Sequence, residues 1–151
     1  MHSILHLNRL TFFGLVTGFL MLVAFPAHSQ RVYTPPTGSA ERKAILDLLR
    51  VPCEQDLKQK VIFKVDLLKV ADNFAAARVT PLQPNGSPIN YRKTKYREAV
   101  EQDVFDSGGE ALLQRKNGTW RLLKWRFGGT DTELIDWIKN YGAPAAIGQF
   151  D

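Results

Sequence analysis

Histidine is nearly absent: His2, His6 and His28 are the only three, and all fall within the first 28 residues. The chain from residue 29 onward has no imidazole, which excludes Ser/His and Cys/His nucleophiles and histidine-ligated metals from that part. Cysteine is scarcer still. Cys53 stands alone and cannot close an intrachain disulfide, so stability must come from packing. Glu54 and Asp56 beside it would raise a thiol pKa, which argues against a reactive cysteine. No zinc-finger spacing, Walker sequence, G-x-G-x-x-G run, heptad, internal repeat or low-complexity tract is present.

Long apolar runs are lacking as well, with one exception at the start. Arg9 precedes an apolar stretch from Leu10 to Phe25, and Ala27-His28-Ser29 stands after it as a small-residue cleavage site. A membrane-spanning helix needs about 20 apolar residues, and Gly14, Gly18 and Pro26 suit a cleaved leader better. Residues 1–29 therefore read as a signal peptide, and the protein is expected in the periplasm or secreted. An uncleaved N-terminal membrane anchor is the alternative, in which the membrane is met only through the precursor segment. Lipid attachment is disfavoured because Cys53 lies far from the cleavage point.

The remainder of the chain is one domain by length. The chain is basic, +5 overall, and Arg9 is the only charged residue in the leader, so the body keeps its excess of lysine and arginine. That charge suits an anionic polymer of the envelope or a lipid headgroup. Nucleic acid is not expected, since export and the absence of RNP or basic-helix sequences both oppose it.

Residues 30–38, with Pro35, Pro36 and Gly38, read as a flexible tether ahead of a single domain over 39–151. Ser39 is placed to cap a helix over 40–50, with Ala44, Ile45, Leu48 and Leu49 as its apolar stripe; Val51-Pro52 should end it. The alternation of Val61, Phe63, Val65 and Leu67 predicts a strand, and Ala71-Asp72-Asn73 a turn into a second strand over 74–80. Its three alanines, Ala75 to Ala77, leave room for close approach. A loop over 81–88 leads to a short helix within 90–101 that turns Tyr96 and Val100 inward. Asn117-Gly118 then predicts a type I′ hairpin pairing Arg115 with Trp120, Leu113 with Leu122 and Leu112 with Leu123.

That register makes both hairpin faces apolar, with Trp120 and Leu122 on one and Leu123, Trp125 and Phe127 on the other. A helix, a partner subunit or a ligand should cover each. Thr130-Asp131-Thr132-Glu133 matches a capping box before a last helix carrying Leu134, Trp137, Ile138 and Tyr141 inward, with Gly142 and Pro144 as its stop. The expected class is α+β: an antiparallel sheet of about four strands, in two hairpins, against an N-terminal and a C-terminal helix.

Cystatin-like and nuclear-transport-factor-2-like domains are the architectures this arrangement most resembles, an analogy of fold alone that implies nothing about chemistry. Five segments carry a closer likeness: Ala44-Ile45-Leu46-Asp47-Leu48-Leu49-Arg50, Leu68-Lys69-Val70, Asn117-Gly118-Thr119-Trp120-Arg121, Gly128-Gly129-Thr130-Asp131 and Tyr141-Gly142-Ala143-Pro144. Together they resemble a family of small exported bacterial proteins without an assigned activity. Phe74 stands where that family often has tryptophan, and Lys124 and Arg126 where it has aliphatic residues. The resemblance implies export and fold, and it carries over no catalytic residue, metal or cofactor.

Four groups remain as candidate sites. Arg115, Trp120, Lys124 and Arg126 form a basic-aromatic strip suited to a glycan or an anionic polymer. Arg92, Lys93, Lys95 and Arg97 form a basic cluster suited to phosphates, partly neutralised by Glu98 and Glu101. Gly128-Gly129 precedes a helix start where an anion could sit. Glu98, Glu101, Asp103 and Asp106 could supply a glycosidase pair. The expectation is a non-catalytic binding module for an envelope component or for itself. The alternative is a small hydrolase-like envelope enzyme using carboxylate or tyrosine chemistry, which requires a deep pocket and an acid of raised pKa.

Overall fold

A computed structural model describes residues 31–149; the leader and its cleavage site lie outside the described residues. The fold is α+β. Helix α1 (Ala40–Leu57) is followed by strands β1 (Ile62–Ala71) and β2 (Phe74–Leu82), a long connection containing a 3₁₀ turn (Tyr91–Lys93) and helix α2 (Arg97–Glu101), then β3 (Gly109–Lys116), β4 (Thr119–Phe127), α3 (Leu134–Asn140) and a closing 3₁₀ turn (Ala145–Gly148). The four strands form one antiparallel meander in the order β1-β2-β3-β4.

The described part of the stretch expected to be a flexible tether is tied to the sheet and to α1. Tyr33 exchanges backbone hydrogen bonds of 2.9 and 2.8 Å with Val70, Pro35 is fully buried, and Arg42 donates to the Pro35 carbonyl at 3.2 Å.

Ser39 caps α1 as expected, its Oγ accepting the Arg42 N–H at 3.2 Å. The helix does not stop at Val51. It runs on through Pro52 to Leu57 and ends where Lys58 turns left-handed, at φ 55°. A proline inside a helix costs about 3 kcal/mol. Ile45, Leu49, Cys53 and Leu57 recur every four residues and all are buried. Continuing this face past the proline buries Cys53 and Leu57 and offsets the cost. Ala44, by contrast, is exposed.

Each edge strand carries a β-bulge, and each bulge overturns an expected face. In β1 the pairing steps from Val65↔Val79 to Leu67↔Arg78, leaving Asp66 as the extra residue. Phe63 and Val65 therefore pack toward α1, whereas Leu67 packs on the opposite face with α3. In β4 the expected pairs Arg115↔Trp120 and Leu113↔Leu122 are present, but Leu112 faces Lys124 instead of Leu123. Trp125 is thereby moved to the α1 side, beside Trp120 and Leu122, and only Leu123 stays on the α3 side. A one-residue step exchanges the faces of every later side chain.

The hairpin turn itself obeys its residues, with Asn117 at φ 51° and Gly118 at φ 78°. Strand β2 extends to Leu82 through Pro81, which pairs with Phe63 of β1. The β2–β3 ladder has already ended at Val79↔Gly109, so the missing N–H of Pro81 disrupts nothing on that side.

Both sheet faces are covered by the chain's own elements. α1 lies on one, over Ala75, Ala77 and Leu113; α3 and the closing turn lie on the other, over Ala76, Ala71 and Leu112. A third cluster closes the end of the sheet, where Cys53, Leu57 and Phe127 meet Tyr91, Tyr96 and Phe105 of the β2–β3 connection. The apolar hairpin is thus satisfied within one chain.

Candidate functional site

The strip of Arg115, Trp120, Lys124 and Arg126 does not exist as one surface. Arg115 and Trp120 share the α1 side, whereas Lys124 faces Leu112 and Arg126 faces Glu110, on the α3 side. Trp120 is only 7% exposed and cannot stack against a sugar. Its outer face is covered by Arg115, whose guanidinium lies 5.1 Å from the ring centroid and binds Glu41 at 3.1 Å. The pair is a cation–π contact at the sheet margin.

The bulge builds a different row. A regular strand places residues three apart on opposite faces; here Arg121 pairs with Gln114, Lys124 with Leu112 and Arg126 with Glu110. Their partners alternate along β3, so all three cations project from the α3 side of the outermost strand. Arg126 is engaged by Glu133. Arg121 and Lys124 are exposed, and among the described residues neither has an acidic partner, nor does exposed Lys116 at the hairpin tip. The sequence pattern gives no sign of Arg121 as a site residue, because only the bulge brings it beside Lys124.

The cluster of Arg92, Lys93, Lys95 and Arg97 is divided. Lys95 Nζ sits 2.5 Å from Asp56 Oδ1, and Asp56 also accepts the Tyr96 hydroxyl through Oδ2 at 3.1 Å. Arg97 pairs with Glu101 at 2.9 Å. Arg92 and Lys93 lie on the 3₁₀ turn, both exposed. Of the four acids considered as a glycosidase pair, Glu98 and Glu101 stand exposed on α2, and Asp103 is exposed just beyond it. Asp106 lines a cavity of about 10 Å³ with Arg78, Glu110, Arg126 and Asp131, room for one water and no sugar.

The helix start after Gly128-Gly129 is already occupied by an anion of the chain itself. Glu110, 6% exposed, accepts the Glu133 and Leu134 N–H groups at 3.0 and 3.3 Å, the Thr132 hydroxyl at 2.6 Å and the Arg78 guanidinium at 2.6 Å. The expected capping box does not form, since Glu133 turns away to Arg126 and supplies the N-cap without a side-chain bond. Burial pushes the Glu110 carboxyl up, but these hydrogen bonds outweigh it and hold the pKa below the ordinary value. That is the opposite of a general acid. Cys53 is pushed up to about 12 by burial, with Asp56 and Glu54 adding to it.

No family model matches the chain. Neither the curated proteins nor the solved structures contain a match either. Among the described residues no group of three or more acids and cysteines could hold a metal ion, and no helix is long and apolar enough to cross a membrane.

Proposed function

We propose that this is an exported, non-catalytic module that holds an anionic component of the cell envelope on the outer strand β4. The row of Arg121 and Lys124, extended by Lys116, carries the proposal. Of the other candidate cations, Arg115 is bound to Glu41, Lys95 to Asp56, Arg97 to Glu101 and Arg126 to Glu133, while Arg92 and Lys93 stand exposed on the 3₁₀ turn, outside the sheet. Export rests on the leader pattern of residues 1–29. With both faces of the hairpin roofed by α1 and α3, the apolar hairpin no longer calls for self-association.

The test is retention of the purified exported protein on immobilised inorganic polyphosphate and on poly-glutamate, over a salt gradient. Arg121→Gln with Lys124→Gln should weaken retention about tenfold, and added salt should weaken the parent protein more steeply than the variant. Equal retention of variant and parent on both anions would refute the proposal.

A further inference from the structure

We infer that the partner is an acidic, extended polypeptide segment that adds to β4 as a fifth strand. This inference rests on the anionic-partner proposal above and names the partner's chemistry. β4 ends the sheet, and among the described residues no other segment pairs with its outer edge. On either side of the Leu122–Leu123 bulge its outward backbone N–H and C=O groups have no partner among the described residues and can take a further strand.

The spacing of the cations selects what that strand carries. Arg121, Lys124 and Arg126 stand opposite Gln114, Leu112 and Glu110 of β3, positions two residues apart. Two residues is the period with which side chains return to one face of a strand, about 7 Å. An incoming strand with carboxylates at alternate positions meets Arg121 and Lys124 in register, with Arg126 remaining on Glu133. Cross-strand pairs of opposite charge favour this pairing and like charges oppose it. A second copy of β4 brings the same cations face to face, so the edge rejects itself while accepting an acidic strand.

The other edge offers less. On β1 Lys64 is neutralised by Asp66 at 2.9 Å, Asp66 also takes the Thr80 hydroxyl at 2.8 Å, and Tyr33 already pairs with Val70. β1 has neither the charge nor the full free edge that β4 presents.

A blocked hexapeptide alternating glutamate and valine is the probe, titrated into the isotope-labelled exported protein and monitored by NMR and calorimetry. Two further versions carry N-methyl groups on alternate amides, one set for each edge of the peptide. Binding is expected to shift amides of Thr119–Phe127, to weaken about tenfold with one methylated version and to weaken about tenfold in Arg121→Gln with Lys124→Gln. A peptide alternating lysine and valine should not bind. Strand addition is overturned if both methylated peptides bind as well as the parent, if the shifts map away from β4, or if the acidic peptide fails to bind. Should polyphosphate bind where the peptide fails, the anionic-partner proposal survives and only strand addition falls. The two substituted side chains are exposed, and an unchanged spectrum of the variant confirms its fold.

Discussion

Glu110 of β3 caps a helix from across the sheet: its Oε2 accepts the Leu134 N–H at 3.3 Å and the Glu133 N–H at 3.0 Å. The carboxylate thus satisfies free donors at the start of α3, where a negative charge is also favoured by the helix dipole. Because Arg78 and Thr132 meet the same group, one side chain joins β2, β3 and the approach to α3.

Replacing Glu110 by Gln removes the charge while keeping the shape. Losing charge-assisted bonds of this kind costs about 1.5–3 kcal/mol each at most, and partial rescue by the amide oxygen leaves an expected loss of about 2 kcal/mol at neutral pH. The pH dependence has a definite sign. A carboxyl whose folded pKa is depressed contributes stability that is complete above its unfolded pKa and is lost as pH falls through the folded value. Denaturant titrations of parent and Glu110→Gln should therefore differ most above the ordinary glutamate pKa of about 4.3 and converge as the pH falls below it and acid protonates Glu110.

Gly109 and Gly128 are where an added methyl group is expected to do most damage. A Cβ at Gly109 would collide with the Trp125 ring, and one at Gly128, where φ is +80°, would stand 2.7 Å from Phe105. Each alanine variant should lose about 1–3 kcal/mol, measured as a lowered melting temperature. Trp125 fluorescence should change in Gly109→Ala.

Pro52→Ala tests the unexpected continuation of α1. If the buried face of Cys53 and Leu57 holds the helix together past the proline, restoring a backbone donor and removing the ring should raise stability by about 1–2 kcal/mol, read from chemical denaturation. An unchanged or lowered midpoint would show that the ring is itself needed there.

Cys53 should resist thiol reagents in the folded protein and react freely once unfolded. Its side chain is fully buried and its pKa is pushed up to about 12, so little thiolate exists at neutral pH. Reaction with a disulfide reagent at pH 8, with and without denaturant, measures both effects together.

Local chemistry was legible where it acts between near neighbours. Asn117-Gly118 dictated a turn with two positive φ values, Ser39 a helix start, and Gly142 with Pro144 a helix stop, because each depends on backbone preferences a few residues wide. The α+β order of elements came from apolar periodicity in the same way.

Two bulges, a cap from another strand and a helix carried through proline were decided only by tertiary structure. Asp66 and the Leu122–Leu123 step change which face each later residue takes, and nothing local distinguishes a bulged strand from a regular one until its partner strand is in place. Glu110 finds Leu134 across 24 positions of chain, so a capping box that looked complete in sequence was displaced by a better-placed carboxylate. The row of Arg121 and Lys124 has the same origin. Composition determined that this chain is basic and poor in histidine; the packing of β4 against β3 decided where two of its cations stand together.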